Sequence, residues 1–259
     1  MLPAVRHGKR RRRTAAVTLL GWLVIVGEAV SPASGWAVEE TGNAYAAVTA
    51  DYKEGDFGTS VNNELYSLTP EFGYISGSYD LSASIPFHRH RVSGEGASSA
   101  ESGIGDAVLR GGRRLWRDEQ AVSSLYGALT LKLATGDENK GLGTGGADIG
   151  VSLSGSRRIG AYAYTVLVGY TQVGEPSGVT YDNVVSYGIG INRSFARTNV
   201  FASVQGQTSA IPGGTAPLEF DVGFFHMLSL EYVIVAHGFV GLSDGSPDNG
   251  MGIGVVRWF

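Results

Sequence analysis

Residues 125–133 read Leu125-Tyr126-Gly127-Ala128-Leu129-Thr130-Leu131-Lys132-Leu133. Leu125, Leu129, Leu131 and Leu133 share one parity; Tyr126, Thr130 and Lys132 share the other. Successive side chains of a strand point to opposite faces, so this stretch is a strand with one apolar and one polar face. The same beat recurs in both directions along the chain. Leu81, Ala83, Ile85 and Phe87 alternate with Ser82, Ser84, Pro86 and His88. Ile149, Val151 and Leu153 alternate with Gly150, Ser152 and Ser154; Leu218, Phe220, Val222 and Phe224 alternate with Glu219, Asp221 and Gly223.

The pattern predicts twelve strands, at 44–53, 61–75, 79–90, 104–116, 121–134, 148–157, 161–173, 182–194, 199–209, 218–228, 231–242 and 251–259. Five short turns alternate with six longer loops at 54–60, 91–103, 135–147, 174–181, 210–217 and 243–250. An even strand count with both termini on one side gives this alternation. Lipid offers no hydrogen bonds, so a spanning chain closes its own ladder as a helix or a barrel. No segment after residue 37 is apolar enough for a spanning helix. The fold expected is therefore all-β: a single transmembrane antiparallel β-barrel of about twelve strands, of the outer-membrane type. Tyr45, Tyr52, Tyr74, Phe87, Tyr162, Tyr170, Phe195, Tyr232 and Phe259 fall near expected strand ends, where aromatic rings favour the membrane–water boundary.

Residues 1–37 read as an export signal. Arg6, Lys9 and Arg10 to Arg13 form a basic region, Thr14 to Val30 an apolar one, and Gly35-Trp36-Ala37 supplies small residues at a cleavage spacing. Cleavage would leave 38–259 as the barrel domain, in the outer membrane of a Gram-negative cell after Sec export. It would remove six of the 20 basic residues and one of the 24 acidic ones, leaving 14 and 23 and a net charge of −9. That charge argues against a nucleic-acid partner. No cysteine is present, which excludes disulfides, thiolate metal sites and cysteine nucleophiles.

Three segments resemble known signatures by letter only. Gly141-Leu142-Gly143-Thr144-Gly145-Gly146 matches G-x-G-x-x-G, but a strand follows where a dinucleotide site needs a helix, so it reads as a mobile loop. Asp137-Glu138-Asn139 and Asp244 to Asp248 lack the ligand spacing of a calcium loop. His88-Arg89-His90 sets two imidazoles on one side of a strand without a third ligand. No cofactor, metal site or catalytic residue is expected.

The segments GIGDAVLRGGRRLW (103–116) and LYGALTLKLATGDENKGLGTGGADIGVSLSGSRRIG (125–160) are similar to the outer-membrane family named for the MetA pathway of phenol degradation. Further likenesses are VGYTQVGEP (168–176), VVSYGIGINR (184–193) and GFVGLSDGSPDNGMGIGV (238–255). The resemblance implies a twelve-stranded outer-membrane channel or transporter, with aromatic or hydrophobic compounds as its solutes. The chain departs from the family at Ala134, where proline is usual, and at Arg257, where the final strand usually carries tyrosine.

The polar strand faces place Asp51, Lys53, Glu71, His88, Asp106, Arg110, Arg114, Lys132, Glu219 and Asp221 inside. Arg110, Arg114 and Lys132 form a candidate basic ladder. With opposed acids they would set up a transverse field, unless they pair with each other and stiffen the barrel. The expected pore lining is Asp106, Arg110, Arg114, Tyr126, Lys132, Glu219 and Asp221. The expected role is passive passage of small molecules, without an enzymatic step. The alternatives are a structural or adhesion barrel with a sealed lumen, and an outer-membrane lipid-modifying hydrolase using a pair such as Ser82 or Ser84 with His88. Expected partners are outer-membrane lipid and lipopolysaccharide, the barrel-assembly machinery through the C-terminal strand, and the solute.

Overall fold

A computed structural model describes residues 42–94, 97–120, 122–176 and 178–259. The expected signal segment lies outside the described residues. The strands are β1 (Asn43–Gly55), β2 (Asn62–Ser76), β3 (Tyr79–Ser84), β4 (Phe87–Gly94), β5 (Ala97–Ile104), β6 (Ala107–Arg117), β7 (Ser123–Leu133), β8 (Asp148–Ile159), β9 (Tyr162–Gln172), β10 (Val184–Phe195), β11 (Thr198–Gln207), β12 (Leu218–Met227), β13 (Tyr232–Gly241) and β14 (Asn249–Trp258). β3 and β4 are two halves of one strand laid along β2, and β5 and β6 are two halves of the next. The wall therefore has twelve antiparallel strands. β1 pairs with β2 on one side and with β14 on the other, from Tyr45 opposite Trp258 to Glu54 opposite Asn249, and this closes the barrel.

The alternation read in the sequence holds around the ring. Ile189 on the outer face is 63% exposed, whereas Glu219 on the inner face is 1% exposed. Apolar side chains on one face and polar ones on the other turn a closed sheet into a lipid-facing wall around a polar lumen. Five turns lie at one rim with the start of β1 and the C-terminus; the six other connections lie at the opposite rim. At the turn rim, Gly77 (φ 47°) and Gly160 (φ 61°) supply the positive φ that a tight hairpin between right-twisted strands requires.

The structure corrects three expectations. The segment 91–103 is no long loop. β4 runs to Gly94 and β5 starts at Ala97, so the hairpin projects as paired strands. Cross-strand pairing with small, polar residues on β5 lets the ladder continue past the wall, and β5 pairs on one side only. Tyr45 does not sit outside with the other boundary rings: its ring is tilted against Trp258 at 5.2 Å, and its hydroxyl donates to Glu71 Oε1 at 2.7 Å. Tyr45 shares the parity of Thr49 and Asp51, so strand geometry turns it inward. The segment 141–146, expected to be a mobile loop, belongs to a loop (134–147) that is held at several points described below.

The break between the half-strands has a covalent cause. Pro86 has no N–H for the ladder. Opposite Ile85 and Pro86 the neighbouring strand carries Gly105, Asp106 and Ala107, one residue more than the ladder needs. This is a β-bulge, which bends a strand and re-aims a side chain. Gly105 N still donates to Pro86 O at 2.8 Å, so the wall stays sealed at this point. The re-aimed side chain is Asp106.

Candidate functional site

The inner wall carries two charged regions on opposite sides. One lies on β3, β6 and β7. Arg110 Nη1 contacts Asp80 Oδ2 at 2.8 Å, Tyr126 donates its hydroxyl to Asp80 Oδ1, and the Arg110 guanidinium lies 5.5 Å from the Tyr126 ring centre. Gly112 makes this possible, because a Cβ there would overlap the Tyr126 hydroxyl. Arg114 shares the inward parity and stands directly opposite Tyr126. Among the described residues it has no carboxylate partner.

Above this group, the bulge organises the loop 134–147. Lys132 Nζ lies 2.6 Å from Asp148 Oδ2 and 3.7 Å from Asp106 Oδ2, and donates to Thr144 Oγ1. Asp106 accepts from Gly136 N and Thr144 N, both at 2.9 Å. Thr135 Oγ1 donates to Gly105 O at 2.9 Å and accepts from Ala107 N at 2.8 Å, satisfying the two peptide groups that the bulge frees. A short 3-10 turn, Glu138–Lys140, is capped by Asp137, whose side chain accepts from Asn139 N. Leu142 is fully buried, and a Cβ at Gly103 would meet its Cδ1. The loop is thus clamped to the inner wall. Its glycines serve close backbone approach: a Cβ at Gly146 would lie 2.2 Å from Gly174 O of the next loop.

The second region lies on β1, β12 and β13. β12 is six strands from the β5/β6 strand in either direction round the ring, so it faces Asp106, Arg110 and Arg114 across the lumen. Glu219 and Asp221 are buried there; Asp221 accepts from Gln205 Nε2 at 3.0 Å. His237 Nε2 lies 3.2 Å from Asp51 Oδ1 over Gly252, where a Cβ would collide with both side chains. Lys53 sits 5.5 Å from the Phe239 ring centre. The first region carries Arg110, Arg114 and Lys132 beside Asp80, Asp106 and Asp148, and the second carries Asp51, Glu219 and Asp221 beside Lys53 and His237; charged groups lining a lumen tune which ions and polar solutes pass.

All seven residues expected to line the lumen point inward, but the structure breaks up the expected basic ladder. Arg110 is committed to Asp80 and Lys132 to Asp106 and Asp148, since desolvated cations need partners. Arg114 alone of the three carries no ion pair among the described residues. Asp80, Thr135, Thr144 and Asp148 were not singled out from the sequence. Asp80 shares the parity of Ser82 and Ser84, a signal that was present. Asp148 shares the parity of Gly150 and Ser152, and Thr135 and Thr144 carry no strand parity but lie in the LKLATG and KGLGTG segments.

The hydrolase reading drew on Ser82 or Ser84; the serine that meets His88 is Ser67, directly opposite it on β2, with Oγ 2.8 Å from Nδ1. The other ring nitrogen, Nε2, has no hydrogen-bond partner among the described residues. A serine hydrolase needs a third group to orient its base. His90 Nε2 meets Asn63 Oδ1 at 3.3 Å on the same strand pair, and His226 Nδ1 meets Thr198 Oγ1 at 2.9 Å. The first is a buried cross-strand pair on the inner face, and the second is a part-buried pair of outward parity at the turn rim.

No protein-family model matches the chain, and no curated protein matches it. Solved structures do. The translocator domain of the autotransporter NalP from Neisseria meningitidis aligns with a TM-score of 0.57 at 14% identity, over 95% of this chain and 98% of that one. The KdgM porin, solved in complex with disordered oligogalacturonate, aligns with a TM-score of 0.54 at 9% identity, over 82% and 99%. The NanC porin aligns with a TM-score of 0.51 at 8% identity, over 82% and 98%. The chain has the fold of outer-membrane barrels.

Proposed function

We propose that this protein is a passive outer-membrane channel for small molecules, with the loop rim outside and the turn rim in the periplasm. The observation that carries this reading is the opposition of Arg110, Arg114 and Lys132 to Glu219 and Asp221 across a closed barrel. Arg110 and Lys132 are paired within the wall, but Arg114 points inward without an ion pair among the described residues, and an inward cation left unpaired favours a lumen that admits water or a charged solute. Two structural neighbours, KdgM and NanC, are porins by name, which agrees.

Membership of the phenol-degradation MetA-type family is part of the proposal. The motifs that suggested it converge in space: the G-x-G-D segment forms the bulge, and the LKLATG and KGLGTG segments form the loop clamped to it. Aromatic solutes are the finer proposal, supported by Tyr126 and Phe239 beside Arg110 and Lys53 on the two inner walls. Assembly would use the last strand, whose Met251, Ile253 and Val255 face outward and whose Arg257 lies 4.9 Å from the Phe259 ring centre and 5.7 Å from that of Tyr232.

A specific observation favours a second reading, a lumen closed at rest. Asp106, Lys132, His88 and Glu219 are nearly devoid of solvent contact. Single-channel recording in planar bilayers decides between them. Discrete conductance steps whose ion selectivity shifts in Arg110→Ala/Arg114→Ala support the channel. Silence from a barrel shown to be folded supports the closed form.

A further inference from the structure

The outer wall is not uniformly ridged. Across β3, β6, β7 and β8 one row of outward positions reads Tyr79, Arg113, Gly127, Leu153, and the adjacent row reads Leu81, Gly111, Leu129, Val151. Gly111 and Gly127 leave a groove of about 470 Å³ between Leu81, Leu115, Leu129 and Leu153. A Cβ at Gly111 would stand 3.1 Å from Leu81 Cδ2, and one at Gly127 would stand 3.1 Å from Leu115 Cδ1, so the missing side chains are what opens it. A trough with apolar walls, on a face bathed in hydrocarbon, fits an acyl chain.

Arg113 stands at this groove toward the turn rim. A cation on the lipid face costs least near the interface, and a guanidinium there is shaped for a phosphate fork. Arg157, at the same rim on β8, shares the outward parity of Leu153, whereas Arg117 and Arg158 have the inward parity. None of the four has a carboxylate partner among the described residues. The nearby Asp118 directs its oxygens to Val122 N at 2.6 Å and Ser123 N at 3.0 Å.

We propose that this groove is a binding site for an anionic glycerophospholipid: one acyl chain lies over Gly111 and Gly127, and the phosphodiester, which carries the lipid's net charge, meets Arg113. Charge and shape are complementary at one place, which selects this occupant over bulk lipid. The inference rests on the membrane-embedded barrel and not on conduction, so a silent channel leaves it standing.

Native mass spectrometry of the protein purified from membranes tests it. The probes are phosphatidylglycerol and phosphatidylcholine with identical acyl chains, offered in equal amounts. The expected result is about a fivefold preference for retained phosphatidylglycerol, the contribution of one arginine near an anionic surface. Arg113→Gln should bring the ratio close to unity and Arg113→Lys should keep part of it. Gly111→Val should lower retention of both lipids. Arg193→Gln, on the distant β10, should change nothing, and glycerol phosphate should not displace the lipid. Heat-modifiable migration confirms that each variant is folded. Equal retention in the wild type, an unchanged ratio in Arg113→Gln, or displacement by glycerol phosphate would each overturn the proposal.

Discussion

Lys132 and Asp148 stand directly opposite each other on β7 and β8, with Nζ and Oδ2 2.6 Å apart inside the barrel. Asp106, 3.7 Å from the same nitrogen, makes this a cation between two carboxylates. The two strands that begin and end the loop 134–147 are thereby tied together, and both are tied to the bulge.

Removing the cation leaves the buried Asp106 and the half-buried Asp148 facing each other. Lys132→Met should destabilise the barrel by about 3–5 kcal/mol, the cost of breaking a buried pair by one partner. Adding Asp148→Asn should recover part of that loss. The urea midpoint of the folded barrel, followed by intrinsic fluorescence, measures it. A midpoint unmoved by Lys132→Met would show that the cluster does not hold the fold.

Thr135→Val keeps the side-chain shape and takes away the hydroxyl that serves Gly105 O and Ala107 N. Two partly exposed peptide groups losing their partner should cost about 0.5–1.5 kcal/mol. The loss should appear locally. Limited trypsin digestion of the folded barrel should spare Lys140 in the wild type and cut after it in the variant. Equal resistance in both would mean that the loop is held without Thr135.

Arg110 and Arg114 should behave differently although both point into the lumen. Arg114 carries a charge without an ion pair, so Arg114→Ala should shift reversal potentials toward cation preference while sparing stability. Arg110→Ala strands the buried Asp80, so it should lower the urea midpoint more. The reverse ranking in both measurements would refute the assignment of Arg114 as the field-setting residue.

The outer face makes its own prediction. Ile189 lies in the middle of β10 and is among the most exposed apolar residues. Ile189→Arg should cost about 2–4 kcal/mol in lipid, and Ile189→Ala much less. Refolding yield into vesicles, titrated with urea, reads the difference. Equal yields for the two variants would place β10 away from the hydrocarbon.

Much of this was legible in the sequence because the side-chain period of a strand is two. Leu129 and Thr130, or Phe220 and Asp221, differ in polarity at neighbouring positions, and that alone assigns them to lipid and lumen. Parity also carried Arg110 and Glu219 to the inner wall. What it did not carry was partnership. Asp80 meets Arg110 because β3 pairs with β6, and register between strands depends on turn lengths and bulges rather than on the local beat. The glycine run 141–146 reads as a mobile loop because a strand, not a helix, follows it and nothing in the local sequence shows what would hold it. The receivers of its loop, Asp106 and the bulged peptides, lie some 30 residues earlier; parity places Asp106 inside, but no periodicity announces the extra residue that frees those peptides.

The bulge at Gly105 also bears on how this gene tolerates insertions and deletions. In a regular strand, loss of one codon inverts every side chain beyond it, lipid side to water side. Here Gly103, Gly105 and Asp106 all face inward, so a deletion of Gly105 would preserve the facing of both half-strands and bring two residues opposite two. The shortened wall should still assemble, as heat-modifiable migration would show, while losing the unpaired peptide groups to which Thr135 binds. Such a variant would separate the capacity to form a barrel from the capacity to hold its loop.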